Sequence, residues 1–331
     1  MSVISVPDEE VTPAKSGMAY IAGGVFKMGS DSHYPEEAPV HTVAVDGFWI
    51  DAAPVTNAQF GRFVRAAKYV TLAEKAPCAD DYPGARADML RPGSLAFTPP
   101  DGPVDLQDLR NWWTFAFGAN WRRPYGKGSS IRGLDAHPVV QVAYEDALAY
   151  ARWAGKDLPT EAEWEFAARG GLDQAEFAWG DALRPGGQSM ANTWQGLFPH
   201  LNLAGDGASR TSPVGAYPPN AYGLYDMIGN VWEWTSDSWS SSHMQGAVKS
   251  CCIPANPRGG AQAQSCDARS PAIIARKVVK GGSHLCAPNY CRRYRPAARH
   301  AQPVDTSMSH VGFRCVIREP GATHETFADP L

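Results

Sequence analysis

Helical periodicity is confined to three short stretches of this chain, and glycine and proline break up everything between them. The chain must therefore fold as short elements joined by loops. Thr56 followed by Gln59 forms a capping box, and Phe60, Phe63, Val64 and Ala67 repeat behind it at helical spacing. A second helix is predicted from about Tyr144 to Ala154, with Tyr144, Ala147, Leu148 and Ala151 on one stripe and Gly155 as its stop. A third starts at the capping box Thr160-Glu161-Ala162-Glu163 and ends before Gly170-Gly171. The remainder reads as short strand-like pieces, such as 18–28 with its Gly23-Gly24, and 41–50. Stretch 71–135 is long and irregular, and 240–276 is polar and rich in small residues.

A chain of 331 residues can bury a sizeable core. Its 32 Gly and 27 Pro exceed the usual share without reaching the level of disorder, and its 11 Trp supply large anchors for irregular backbone. No repeat or linker divides it, which predicts one domain over 18–319 with tails at 1–17 and 320–331. A formal net charge of -4 gives no footing for nucleic acid or an anionic membrane. The acidic start and the lack of a long apolar run argue against a signal peptide or membrane span, so a cytoplasmic protein is expected. In a reducing compartment cysteines serve as metal ligands, catalytic groups or core residues more often than as bridges. The seven here (78, 251, 252, 266, 286, 291, 315) are odd in number and show no zinc-finger spacing, which points away from a structural zinc site.

The most informative stretch for function is 281–295, Gly-Gly-Ser-His-Leu-Cys-Ala-Pro-Asn-Tyr-Cys-Arg-Arg-Tyr-Arg. Cysteines five apart stand about 140° from each other on a helix turning roughly 100° per residue, and face opposite ways on a strand. They meet only if the chain turns between them, and Ala287-Pro288-Asn289 is suitable turn chemistry. Two converging thiolates suit a soft ion, copper(I) above all, and Arg292, Arg293 or Arg295 would favour thiolate if they point that way. A disulfide, a redox dithiol or two packed thiols satisfy the same spacing. His284 reads as a hydrogen-bonded, partly buried residue.

Ordered motifs then make the chain resemble the formylglycine-generating enzymes, or sulfatase-modifying factors, from about Met18 to Glu319. They include Gly-Gly-Val-Phe-x-Met-Gly (23–29), Glu-Glu-Ala-Pro-Val-His (36–41), Pro-Val-Thr-Asn (54–57) and His-Pro-Val-Val (137–140). Further along come Leu-Pro-Thr-Glu-Ala-Glu-Trp-Glu (158–165), Ala-Asn-Thr-Trp-Gln-Gly (191–196) and Gly-Leu-Tyr-Asp-Met-Ile-Gly-Asn-Val-Trp-Glu-Trp (223–234). Lys-Gly-Gly-Ser (280–283) and Gly-Phe-Arg-Cys (312–315) complete the series. The resemblance implies an α+β, loop-rich single domain of the formylglycine-generating enzyme / C-type-lectin-like fold, low in regular secondary structure.

It also implies a chemistry. Cys286 and Cys291 would bind Cu(I), and O2 would be used to convert the cysteine of a Cys-x-Pro-x-Arg motif (Pro sometimes Ala), in nascent or unfolded sulfatase, to formylglycine. A thiol or other reductant would take part. Ser283 would hydrogen bond near the reacting oxygen or thiol, Tyr290 would have a polar or positioning role, and Trp232 would wall the oxygen pocket. Structural Ca²⁺ would sit at two sites, one formed by Asn192 and Asp206 with the carbonyls of Thr193 and Ala208. The other would use Asp226 and Glu233 with the carbonyls of Gly229 and Val231. Two departures stand out: Ala168 and Pro296 occupy positions where secreted animal relatives are expected to carry cysteines, so Cys315 should lack a bridging partner. The competing readings are a catalytically silent, lectin-like peptide- or protein-binding paralogue and a metal-free thiol-disulfide oxidoreductase.

Overall fold

Each of the three predicted helices forms, and each is bounded by the residues that signalled it. A computed structural model describes residues 15–205, 207–243, 253–267 and 273–319 of the chain. Helix α1 spans Asn57–Ala67: the Thr56 hydroxyl accepts from the Gln59 amide and the Gln59 side chain accepts from the Thr56 amide. Helix α2 spans Tyr144–Trp153, and Gly155 beyond it takes φ +68°. Helix α3 spans Glu161–Arg169 and stops at Gly170 in the left-handed region. Every residue of α3 is buried, including Glu161, Glu163, Glu165 and Arg169. Buried charge is tolerated only when paired, and here it is. Glu165 accepts from Lys280 at 2.9 Å and from Arg169 at 2.7 Å, while Glu161 takes both forks of Arg299. Against the pull of burial, Lys280 and Arg169 hold the Glu165 carboxyl down at about 2.

The strand-like pieces are shorter than their sequence suggested. Stretch 18–28 splits into β1 (Met18–Ile21) and β2 (Gly24–Met28), and 41–50 splits into β3 (His41–Val45) and β4 (Phe48–Asp51). The break falls at Gly23, whose φ is +76° and where an added Cβ would lie 2.5 Å from the Val45 carbonyl oxygen. Stretch 71–135 is less irregular than expected, because it contains the antiparallel pair β5 (Gly93–Phe97) and β6 (Trp113–Phe117). A long connection joins these two strands, so no hairpin turn announces them.

Seven more strands complete the described set, the first six in chain order being β7 (Gly196–Leu197), β8 (Leu201–Asn202), β9 (Trp232–Ser238), β10 (Arg276–Lys280), β11 (Arg299–Pro303) and β12 (Val311–Gly312). The last is β13 (Val316–Arg318). Four of them form the largest sheet, in the order β11-β10-β9-β12, and β1-β4-β13 form a second of three strands. Segment 281–298 is the connection between neighbouring antiparallel strands β10 and β11. The residues before β9 run alongside its start: Gly229 N–H donates to the Gly281 carbonyl and His284 N–H to that of Asn230.

Two apolar clusters flank this connection. The larger contains Phe60, Trp164, Trp234 and Phe313 together with Cys286, and Cys291 packs against it. The smaller gathers Phe97, Trp112, Trp194 and Phe198 around Leu285 and Ala287, with Tyr290 at its margin. Residues 15–17 fold onto the domain, through Lys15 to Glu319 and the Ala52 amide to the Gly17 carbonyl. No described helix is long and apolar enough to cross a membrane.

Candidate active site at the paired cysteines

The turn between the cysteines is a single coil wound on one carbonyl. Tyr290 and Cys291 amides both donate to the Ala287 oxygen, at 3.1 and 2.8 Å. Its tip is clasped from outside, since the Asn289 side chain both donates to the Phe198 carbonyl and accepts from the Phe198 amide. At its base Gly281 and Gly282 have φ of +92° and +71°, and a Cβ on Gly282 would lie 2.7 Å from the Arg293 carbonyl oxygen. Close backbone approach thus requires glycine here.

This winding carries the two sulfurs to 3.3 Å, with both thiols free. A disulfide bond is about 2.05 Å long, so this is a thiol–thiol contact. Cys286 is buried and its thiol is pushed well up by that burial. Cys291 moves the other way, to about 6, because Cys286 donates to it and Arg293 lies alongside, in opposition to burial. One proton shared between the sulfurs leaves Cys291 as the thiolate at neutral pH.

Of the three arginines after the turn, Arg293 reaches the sulfur, with Nη1 4.0 Å from Cys291 Sγ. Its guanidinium is held by Glu36 at 2.5 Å and lies 3.8 Å over the Tyr34 ring. Arg292 turns to Glu176 and Arg295 to the buried Glu37. Tyr34 and Glu36 join the site from the opposite end of the chain. They lie some 250 residues away in sequence, and only Glu36's place in a quoted motif signalled it.

The other expected residues gather around this centre unevenly. Tyr290 stacks on Phe198 with centroids 4.6 Å apart, and its phenol is pushed to about 12 by burial and by the two thiols. Trp232 is buried on β9, in the same apolar cluster as Cys286, with its ring 5.8 Å from that of His300. Ser283 is fully buried; its hydroxyl accepts from the Leu285 amide and its carbonyl from that of Cys286. That makes Ser283 the former of the turn that delivers Cys286. His284 is more buried than expected, its Nδ1 2.8 Å from the Asn230 carbonyl.

The donor sets for metals differ in fit. Cys286 and Cys291 offer two converging sulfurs, one ionised, which suits a soft monovalent ion. In the first oxygen set Asp206 lies outside the described residues, as do Cys251 and Cys252. Asn192 of that set is buried and its amide nitrogen donates to the Arg210 carbonyl and the Ser212 hydroxyl, so the amide oxygen is the atom that a cation would take. The second set does not fit as expected. Both Glu233 oxygens are committed to Arg314, at 2.7 and 2.8 Å, and one also accepts from Trp164 Nε1. Asp226 accepts from the Gly215 amide and from the Asn230 side chain. Glu233 is thus the buried partner of Arg314. Among the described residues no group of three or more His, Cys, Asp or Glu side chains is arranged to hold a metal.

A loop-rich α+β domain with this sheet order and a paired-cysteine turn between two strands defines the formylglycine-generating enzyme / C-type-lectin-like class of fold. PvdO from Pseudomonas aeruginosa has a similar structure, with a TM-score of 0.60 at 24% identity over 90% of this chain and 93% of that one. Residues 4–319 match the sulfatase-modifying factor enzyme 1-like domain, and the chain belongs to that family. A Mycobacterium tuberculosis protein named formylglycine-generating enzyme is 54% identical over 297 residues, 89% of this chain and 96% of the relative. A Bos taurus relative named inactive Cα-formylglycine-generating enzyme 2 is 38% identical, over 92% of this chain and 90% of its own length.

Proposed function

We propose that this protein is a copper-dependent oxidase that uses O2 to convert the cysteine of a Cys-x-Pro/Ala-x-Arg motif in a sulfatase polypeptide to Cα-formylglycine. The observation that carries the reading is the pair of free, hydrogen-bonded thiols 3.3 Å apart on a turn clamped at both ends. Family membership supports it without sufficing, because the family contains a relative whose name declares it inactive.

Cys286 and Cys291 would hold copper(I), which when bound supplies the dioxygen activation that side chains lack. The rest falls to the chain's own groups. Arg293, fixed by Glu36 and Tyr34, keeps Cys291 ionised and so ready as a ligand. Cys286 must give up its proton, and the cost of doing so in an apolar place is what a bound cation would offset. Tyr290 and Trp232 line the apolar surroundings and exclude water. Ser283 holds the backbone that presents Cys286. The overall change balances as the substrate CH2–SH plus O2, two electrons and two protons giving the aldehyde, sulfide as H2S, and water. A thiol reductant supplies those electrons and protons as it becomes a disulfide.

The reading extends to two further features. Calcium is proposed at the first oxygen set, Asn192, Thr193 and Ala208 with Asp206, as a structural ion. A cytoplasmic setting is proposed from the free state of all five described cysteines, 78, 266, 286, 291 and 315.

The test is an aerobic assay of copper-loaded protein with a synthetic Cys-x-Pro-x-Arg peptide, read by mass spectrometry with aldehyde trapping. Aldehyde from the wild type alone, and only with copper, is expected; Cys286→Ala and Cys291→Ala should give none. Full copper occupancy with no aldehyde, on peptides bearing either Pro or Ala, would sink the substrate assignment. Absence of copper binding would favour a silent binding module.

A further inference from the structure

We propose that His41, His243 and Met28 form a second copper(I) site, separate from the paired cysteines. Met28 and His41 are direct cross-strand partners in the antiparallel β2–β3 pair. Side chains so placed share a face, with Cβ atoms about 5 Å apart. His243, beyond the end of β9, brings its ring to 4.8 Å from that of His41, at an interplanar angle of 44°. All three residues line one cavity of about 50 Å³.

The ring nitrogens differ in what holds them. His41 Nδ1 lies 2.9 Å from the Pro39 carbonyl oxygen. A carbonyl can only accept, so Nδ1 carries a proton, which assigns Nε2 as the ring's ligand atom. His243 Nε2 is buried and finds no hydrogen-bond partner among the described residues. Burial keeps this imidazole neutral, lowered to about 4, which is the ligand form. With a metal–nitrogen distance of about 2.0 Å, two imidazoles on one ion at roughly tetrahedral angles place their centroids about 5 Å apart. The observed spacing agrees.

Surrounding charge selects the ion. The cavity also touches Glu161 and Asp237, but neither carboxylate is available. Glu161 is held by both forks of Arg299, and Asp237 accepts from Arg258 and from the amides of Gly259 and Glu161. What remains is two imidazole nitrogens and a thioether, beside two guanidinium groups. That set disfavours a divalent ion and suits monovalent copper.

The measurement is an anaerobic Cu(I) titration of the Cys286→Ala/Cys291→Ala protein against a chromophoric Cu(I) chelator. With the paired cysteines gone, its result does not depend on the oxidase reading. One equivalent should still bind, with two nitrogens and one sulfur around copper by X-ray absorption. Adding His41→Ala and His243→Ala should weaken binding by at least the 10- to 100-fold that loss of an outer partner costs. Met28→Leu conserves volume and fold, so it should remove the sulfur signal even if the histidine variants fold poorly. Three outcomes would overturn the site: no copper in the double-cysteine variant, copper retained without both histidines, or zinc bound in preference to copper.

Discussion

Two loops lie side by side at one end of the large sheet, 226–233 leading into β9 and 281–295 leaving β10. Both carry residue types that the resemblance assigns to metals, yet their side chains differ in what already holds them. In 281–295 the sulfurs face each other at 3.3 Å, with Arg293 as a neighbour that ionises one of them. In 226–233 the carboxylate of Glu233 is closed off by Arg314 and Trp164. A ligand set is therefore defined as much by what its atoms are already bonded to as by its residue types.

The comparison breaks most visibly at the sulfurs. Cys286→Ala or Cys291→Ala should abolish aldehyde formation while costing only about 1 kcal/mol of stability, as small core truncations do; peptide mass spectrometry beside a denaturant titration reads both. Parallel collapse of folding would mean that the thiols are structural.

Glu233→Gln inverts the pattern. It strands Arg314 in the core, and breaking such a buried pair costs about 3–5 kcal/mol, visible as a fall in denaturant midpoint. A wild-type midpoint that rises with added calcium, and a Glu233→Gln midpoint that does not, would return this loop to the cation sites.

Gly282→Ala sits between these cases. Its positive φ and the nearby Arg293 carbonyl predict a loss of about 1–3 kcal/mol, with the thiol contact widened. Alkylation of the variant's cysteines should then show two independent thiols near ordinary values.

The smallest effect is a displaced titration. Alkylation of Cys291 in the metal-free wild type should half-rise near pH 6, and should move toward the ordinary thiol value of about 8.5 in Cys286→Ala and in Arg293→Ala. The sign follows from a depressed folded-state value: the thiolate's contribution to stability is full above about pH 8.5 and is lost as pH falls through about 6. A wild-type half-rise near 8.5 would remove the shared-proton picture.

Much of the fold was legible because its signals are local. The capping boxes at Thr56 and Thr160 and the glycines after α2 and α3 set those helix ends within a residue or so, since they act through hydrogen bonds a few positions away, whereas α1 ends at Lys68 in the left-handed region with no glycine to announce it. The β5–β6 pair was not legible, because its strands are separated by the long connection 98–112, whose Pro-Pro-Asp-Gly-Pro run marks a loop but not the two-residue turn of a hairpin. Nor was the interior position of α3. Burial of its charged residues depends on Lys280, Arg299 and Arg318, which arrive from elsewhere in the chain.

The sequence alone determined that two cysteines flank a turn in 281–295, because Pro288 and the spacing leave few ways for them to meet. The ordered motifs alone determined the family. Tertiary structure decided which arginine faces the sulfur, which carboxylates are already paired, and that Met28 and His41 share a sheet face with His243 nearby. Those outcomes rest on contacts between residues tens to hundreds of positions apart. A charge or a lone pair is available only when no other part of the fold has reached it first.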